Sequence, residues 1–329
     1  MSSSYMSRLD FISQQITIYL GLTILIAGVI GGCLTVLIFL SLRTFRESSC
    51  AFYLIIMSIF NICALIMGLT SQISSIGFSI DWTQTSLFFC KFRVFFIIVS
   101  IMISLTSMCM ATIDQYWATC HRPQWQRFCN IKLAHRITII SIIGWILYGI
   151  PCLIYYDQVI LISTGQVTCI VTNAAFQWYL VYVANIIIYR LIPLIIMFVF
   201  GLLAYYNLQK IAFRTIPIVR RQLDKQLTTM VLIQIGFTSF TIWSYAIVNI
   251  IISYSDLNED SYIAAQLELA NVITLNLLYV FFASPFYIYL CVSERFRRQF
   301  MHVLINIHLR QWQRRNVAVN QVMPEALQK

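Results

Sequence analysis

Long apolar segments without charge are the feature of this sequence that most constrains its fold. A helix needs about 20 residues to cross a hydrocarbon core about 30 Å thick, and seven such segments occur, at residues 16–40, 51–73, 94–113, 137–156, 178–208, 227–254 and 269–292. Only the fifth contains a charge, Arg190. Hydrophobic residues make up 60% of the chain and charged residues 10%, against about 45–50% and about 25% in soluble domains, which excludes a soluble fold. The sequence predicts an all-α membrane protein, a seven-transmembrane helix bundle.

The positions of the basic residues indicate how the bundle is oriented. Of the 22 Lys and Arg, 18 fall in one alternate set of connections and in the C-terminal tail. The other set has Arg8, Lys91 and Arg93 beside the in-span Arg190, together with seven of the 12 acids. Lys and Arg near span ends stay on the cytoplasmic side, so we expect an external N-terminus and a cytoplasmic C-terminus. The net charge of +10 then reflects topology and attraction to anionic membrane lipid, not nucleic-acid binding.

This topology divides the chain into three regions: an external N-terminus at residues 1–15, a transmembrane domain at 16–292, and a cytoplasmic amphipathic helix and tail at 293–329. In the last region Phe296, Phe300, Val303, Leu304 and Ile307 share one helical face, and basic residues lie elsewhere. The pattern predicts a helix lying in the inner membrane interface. A soluble amphipathic helix would show the same pattern.

Two of the ten cysteines stand apart from those inside the spans. Cys90 opens the third span on the outer side, and Cys169 lies in the outer segment between spans four and five. The exterior is oxidising, so these two are free to pair, and closing a loop of about 80 residues would stabilise the fold by about 4–5 kcal/mol. Two free thiols are the alternative.

The segment that contains Cys169 has the pattern of a β-hairpin. Runs rich in β-branched residues at 159–162 and 167–171 flank Ser163-Thr164-Gly165-Gln166, and a turn containing Gly between such runs favours a hairpin. A hairpin tied through Cys169 to span three would form a lid over the bundle. An unstructured loop is the alternative.

These features together resemble the rhodopsin-like G-protein-coupled receptors. The resemblance rests on the seven spans, the external N-terminus, the two outer cysteines, Trp145 and Pro151 in span four, Pro193 in span five, and the basic amphipathic segment after span seven. It covers roughly residues 16–308. The run at 39–46 with the run at 49–54 is similar to invertebrate neuropeptide receptors.

The resemblance implies that the inner end of span three carries the G-protein switch. The family has Asp-Arg-Tyr there, with its Arg 25 residues after the outer cysteine, and this chain has Asp114-Gln115-Tyr116. In the family this Arg forms an ion pair that stabilises the inactive bundle, and it then contacts the G protein. Gln115 cannot make the two charged hydrogen bonds that an Arg makes with a carboxylate, so only a neutral hydrogen bond is possible. Asp114 is then solvated, paired with a basic residue of the second inner loop, or a helix-end charge.

Four further family positions are altered. The sodium-coordinating acid of span two is Asn61 here, and its companion Asn in span one is Gly32. A hard cation prefers carboxylate oxygens, so we expect an altered sodium site in which Asn61 forms interhelical hydrogen bonds. Span six lacks the family's proline, and in span seven Pro285 lies one residue early relative to Tyr289. Pro285 and Tyr289 are assigned, with residues 114–116, to the coupling switch.

Two positions exclude common ligands of the family. Amine receptors place an Asp seven residues after the outer cysteine, where this chain has Ile97. Visual pigments need a Lys ten residues before the Tyr289 position, where this chain has Tyr279. The sequence thus disfavours a biogenic amine, excludes retinal as a Schiff-base cofactor, and implies no other cofactor.

Arg190 is the strongest candidate for contact with a ligand. An Arg at a helix centre costs about 2.5–3.5 kcal/mol on insertion scales, so it usually faces a polar cavity. It would bind an anionic group such as a peptide carboxylate, together with Arg93. Arg190 could instead snorkel outward or pair with Glu268. We expect three aromatic side chains to line the same cavity, Trp243, Tyr245 and Tyr279.

Three function classes remain open. The first is a plasma-membrane receptor that signals from an extracellular, peptide-like ligand to a heterotrimeric G protein. The second is a receptor-fold protein with weak or absent coupling, which acts as a decoy, scavenger or dimer partner. The third, a transporter or channel, is weakened by the lack of intramembrane acid pairs and of an inverted repeat. No nucleotide-binding or metal-ligand motif indicates an enzyme.

Overall fold

The computed structural model describes residues 2–41, 43–120, 123–160, 167–211, 218–254 and 261–303, and contains the seven predicted spans. The long helices of spans one to seven cover Ser2–Ser41, Ser49–Gly77, Leu87–Thr119, Ile131–Tyr155, 174–211, Ile218–Tyr254 and Ser261–Ala283. Short helices lie at Arg43–Arg46, Trp82–Thr85 and Pro123–Gln126, and two more, Pro285–Val292 and Glu294–Met301, follow span seven. Each of the seven long helices contains a stretch apolar and long enough to cross a membrane. The prediction of a seven-helix membrane bundle is confirmed.

Span one begins well before its apolar segment. The helix starts at Ser2, whereas the apolar pattern starts at residue 16. Its polar first part packs beside the end of span two, where Gln14 Nε2 donates a hydrogen bond of 2.7 Å to the Gly77 carbonyl. Tertiary contact, which an apolar window does not detect, therefore extends this helix.

Span three is the central helix, and it packs against spans two, four, five and six. Trp145 of span four donates its indole hydrogen to Thr106 Oγ1 of span three at 2.9 Å. The Cys109 thiol of span three donates to the Pro193 carbonyl of span five at 3.6 Å. Small polar contacts of this kind hold spans together in a medium where burial of apolar surface drives association little.

Glycines allow span one to approach spans two and seven closely. A Cβ atom at Gly28 would lie 2.9 Å from Ala283 Cβ and 3.2 Å from Ala283 Cα. One at Gly32 would lie 2.7 Å from Ile62 Cγ1. Gly32 takes the place of the family's Asn in span one because Ile62 of span two fills the space that a larger side chain would occupy.

The predicted hairpin and disulfide are both present. Strand β1, Tyr156–Ile160, pairs antiparallel with β2, Val167–Val171, and the predicted turn at 163–166 lies outside the described residues. Cys169 in β2 is bonded to Cys90 at the start of span three, with the two Cα atoms 5.8 Å apart. Gln158 of β1 makes a second link, since its side-chain amide donates a hydrogen bond of 2.6 Å to the Thr83 carbonyl. The end of the bundle that contains this bond is called the disulfide end below.

Two spans depart from regular α-helix. Span two widens into π-helical turns at Leu65–Leu69 and Ile73–Gly77, and span five does so over Tyr179–Leu191. π-helical turns often occur at functional sites, and the one in span five ends next to Pro193. After span seven, Pro285 is the first residue of a short helix, Pro285–Val292, that follows Ser284.

Candidate functional site

Arg190 lies buried between spans five and six near the disulfide end. Only 8% of its surface is exposed, and its guanidinium carbon lies 5.0 Å from the centre of the Tyr245 ring, a cation–π distance. The Nη1 atom is buried without a hydrogen-bond partner. Asn185 and Asn249 line the same narrow cleft. The site thus holds a buried cation that a ring face stabilises only in part.

A second arginine extends this cluster toward span three. Tyr279 of span seven lies within electrostatic range of both Arg93 and Tyr245. Its hydroxyl fits against Gly68 of span two, where an added Cβ would come within 2.6 Å of Tyr279 Oη. The Arg93 Nε atom is buried and makes no hydrogen bond. We name Arg93, Tyr279, Tyr245 and Arg190, which lie on spans three, seven, six and five, the arginine–tyrosine row.

Three predicted site residues are not part of this row. Trp243 is 44% exposed and shares the outward face of span six with Phe240 and Ile247, so the expectation that it lines the cavity is wrong. Two residues that are two positions apart in an α-helix point to nearly opposite sides. Trp243 therefore faces outward when Tyr245 faces inward. Glu268 is exposed, and no described acid forms an ion pair with Arg190. Ile97 is half-buried on span three.

At the opposite end of the bundle, Asp114 is buried and bonded. It is 4% exposed and its Oδ1 accepts a hydrogen bond of 2.6 Å from Ser49 Oγ at the start of span two. The Cys129 thiol donates to the Asp114 carbonyl at 3.4 Å. Of the alternatives for Asp114, the solvated one is therefore wrong, and this carboxylate joins spans two and three.

Gln115 joins spans three and six through a neutral hydrogen bond. Thr228 Oγ1 donates to Gln115 Oε1 at 2.8 Å, and the two side chains are 1% and 2% exposed respectively. We call this contact the neutral latch. It occupies the position where the resemblance implies a charged lock, and a neutral bond of this kind contributes about 0.5–1.5 kcal/mol. Tyr116, next in sequence, packs edge-on against Phe200 of span five at 5.5 Å between ring centres.

Asn61 forms the interhelical hydrogen bond predicted for it. Its Oδ1 accepts from Ser104 Oγ of span three, and both residues are buried. Neither side chain carries a charge, so the contact joins spans two and three without the negative group that a hard cation prefers.

Tyr289 belongs to a buried aromatic cluster that joins the short helix Pro285–Val292, after span seven, to span one. Its ring lies 6.0 Å from that of Phe39 and 5.8 Å from that of Phe296 in the terminal helix, and all three side chains have no exposed surface. Gln299 of the terminal helix also donates to Ser41 Oγ at 2.7 Å. The terminal helix therefore packs against span one, while the predicted apolar positions Leu304 and Ile307 lie outside the described residues.

Sequence reasoning missed the partners of the switch residues. Ser49, Ser104 and Thr228 bond to Asp114, Asn61 and Gln115 respectively, and none of them was singled out. Nothing local identifies them, since small hydroxyl residues occur throughout the spans and each pair joins helices far apart in sequence.

Comparison with known proteins gives the family. The profile of the family described as 7 transmembrane receptor (rhodopsin family) matches residues 31–281, most of the chain, from within span one to within span seven. A search of functionally curated proteins found no match. Members of this family are G-protein-coupled receptors, multi-pass plasma-membrane proteins that transmit the signal of an extracellular ligand to a G protein. The chain belongs to the rhodopsin family of seven-transmembrane receptors.

Proposed function

We propose that this receptor responds to a peptide-like ligand whose anionic group binds Arg190 and Arg93. The observation that carries the proposal is the buried Nη1 of Arg190, which has no hydrogen-bond partner. A buried charge without a counter-charge is costly. A ligand anion placed there would remove that cost and make charge-assisted hydrogen bonds.

The rest of the arginine–tyrosine row suits a peptide. Tyr245 and Tyr279 offer ring surfaces and hydroxyl groups, which bind amide and aromatic parts of a ligand. The similarity of the runs at 39–46 and 49–54 to invertebrate neuropeptide receptors also supports a peptide.

The test replaces Arg190 by Gln and measures receptor response to peptide pools. Pools with free C-terminal carboxylates and matched pools with C-terminal amides are applied to cells at equal surface level. We expect a peptide with an anionic group to activate the wild type and to lose at least about tenfold in potency on Arg190→Gln, near 1.4 kcal/mol. Arg8→Gln, which removes an exposed cation near the disulfide end, is the control and should change nothing. Equal potency on both variants would place Arg190 among the structural residues, and no response of the wild type to any pool would reject a peptide ligand.

We further propose that the N-terminus and the disulfide end face outward. The distribution of Lys and Arg supports this orientation. An epitope before residue 16 should be labelled on intact cells, and one after residue 310 only after permeabilisation. The reverse labelling would exclude an extracellular ligand at the arginine–tyrosine row.

One observation favours the second candidate, a receptor with weak or absent coupling. The side chain at the switch position, Gln115, is neutral and engaged with Thr228, so the charged contact that the family offers a G protein is missing. We expect measurable but inefficient coupling, and nucleotide exchange on a panel of G proteins separates the two candidates.

A further inference from the structure

The connection between spans two and three exposes a group of large apolar side chains at the disulfide end. The connection covers residues 78–86, and span three begins directly after it at Leu87. Phe88, in the first turn of span three, is 72% exposed. Exposed apolar groups in one place mark a protein contact or a membrane contact. We call the group the connection patch, and its members are Phe78, Ile80, Trp82, Leu87 and Phe88.

Hydrogen bonds fix the backbone that presents the patch. Asp81 Oδ1 accepts from the Thr83 amide at 2.9 Å and from the Thr83 hydroxyl at 2.7 Å, and so caps the short helix that follows it. The Ile80 amide donates to the Ser74 carbonyl at 2.9 Å. Ser79 has a φ of 55°, a left-handed conformation that is uncommon outside glycine and that persists only where the surroundings fix it. The apolar side chains are therefore held in their exposed positions.

The charge of the segment suits contact with a membrane. Asp81 is the one charged residue between positions 78 and 90, and its side chain serves as the helix cap. Placing the segment against lipid therefore desolvates no ion that lacks a hydrogen bond. Trp, Phe and Leu are the residues that apolar faces bury at the boundary between head groups and acyl chains, and all three types occur in the patch.

The patch is continuous with the surface of span three. Phe88, Phe92 and Phe96 follow at intervals of four residues, so they share one face of the helix. The rings of Phe88 and Phe92 stack with their centres 5.4 Å apart, and those of Phe92 and Phe96 lie 5.6 Å apart. Phe92 and Phe96 each keep part of their surface exposed. A row of rings thus runs from the patch into the apolar segment that begins at residue 94.

Span one indicates the height of the patch in the membrane. Gln14, two residues before the apolar segment of span one, donates its hydrogen bond to the Gly77 carbonyl. Two residues correspond to about 3 Å of helix, so Gly77 and the adjacent Phe78 lie near the boundary of the hydrocarbon core. Phe11, one turn earlier on span one, is exposed as well. The patch therefore lies at the level of the lipid head groups.

We propose that the connection patch inserts into the head-group layer of the membrane and anchors the hairpin there. The hairpin is linked to this region at two points, by the hydrogen bond of Gln158 to Thr83 and by the disulfide of Cys169 to Cys90. Lipid contact of the patch thus sets the position of the hairpin over the bundle. The proposal holds whichever side of the membrane the disulfide end faces and whatever ligand the receptor binds.

The test is photocrosslinking of the full-length receptor in phosphatidylcholine nanodiscs. The photoreactive residue p-benzoylphenylalanine replaces Phe88 in one variant and Gln84 in the control, and mass spectrometry identifies the adducts. Gln84 is exposed in the same connection, but it lies two residues after Trp82 and so points to the opposite side of the short helix. We expect phosphatidylcholine adducts from position 88 and only background from position 84. Equal lipid adducts from both positions, no lipid adduct from position 88, or a crosslink from position 88 to a second receptor copy in their place would each overturn the proposal.

Two further positions keep the proposal testable if the variant at position 88 fails to fold. The probe in place of Phe78, at the other end of the connection, should also give lipid adducts. The probe in place of Phe92 should react farther down the acyl chains than the probe in place of Phe78, and fragmentation of the adducts measures this depth. Reaction of both probes at the same depth, or with no lipid, would show that the row of rings does not enter the membrane.

Discussion

Gln115 and Thr228 share a hydrogen bond in which neither partner carries a charge, at a position where an ion pair is implied by the family resemblance. A neutral hydrogen bond is weaker than the paired charged hydrogen bonds of an Arg with a carboxylate. This one is buried, so breaking it leaves the Gln115 amide oxygen without a partner, at a cost of about 1–3 kcal/mol. At the scale of single residues, spans three and six are thus joined here by a modest contact, which a methyl group in place of the Thr228 hydroxyl would remove.

Thr228→Val should raise basal signalling. Valine keeps the shape of threonine but cannot donate to Gln115, so the closed arrangement of spans three and six loses about 1 kcal/mol, about a fivefold shift in its equilibrium with the open one. Basal nucleotide exchange by a co-expressed G protein measures the effect at matched surface level.

The adjacent residue offers a matched control. Thr229 Oγ1 donates to the Lys225 carbonyl within its own helix at 2.9 Å, so Thr229→Val removes a hydroxyl without affecting the contact between spans. Its basal exchange should equal that of the wild type. Identical basal exchange in both variants would show that the neutral latch does not restrain the receptor.

At the scale of helices, close approach and local widening shape the bundle. Span one packs against spans two and seven through glycines, and spans two and five contain π-helical turns. Gly28 is the tightest case against a fixed neighbour, because the Ala283 backbone and Cβ leave no space for a side chain.

Gly28→Ala should therefore destabilise the receptor relative to Gly144→Ala. Both changes gain similar helix propensity, about 1 kcal/mol, but a Cβ at Gly144 meets nothing within 4 Å. The difference between the variants isolates the overpacking cost of about 1–3 kcal/mol. Thermal melting of the purified variants in one detergent measures it, and equal melting temperatures would mean that spans one and seven separate at no cost.

For the whole molecule, the sequence was sufficient to predict the spans, the hairpin and the disulfide. Apolar length determines where a helix can cross a membrane, and β-branched runs around a turn determine the strands. The second strand, Val167–Val171, matches its prediction, and the first begins three residues earlier, at Tyr156. Helix ends set by tertiary contact, such as the start of span one at Ser2, were not predictable in this way.

Contacts between spans were harder to predict because they depend on the rotation of each helix about its axis. Apolar residues surround most of these helices, so their sequences carry little signal for which face turns inward. Trp243 was expected inside and lies outside, while Arg190 meets the Tyr245 ring instead of Glu268. The bond of Gln115 to Thr228 depends on the same rotations.

The decisive test of the proposed signalling function is nucleotide exchange on a panel of heterotrimeric G proteins. Wild type and Gln115→Arg are compared at matched surface level, with and without the peptide pools used for Arg190. We predict low but measurable exchange by the wild type on at least one G protein, and a higher maximal response of Gln115→Arg, because a charged side chain can again contact the G protein. If neither activates any G protein while a peptide still binds, the protein is a decoy and the proposed signalling function is wrong.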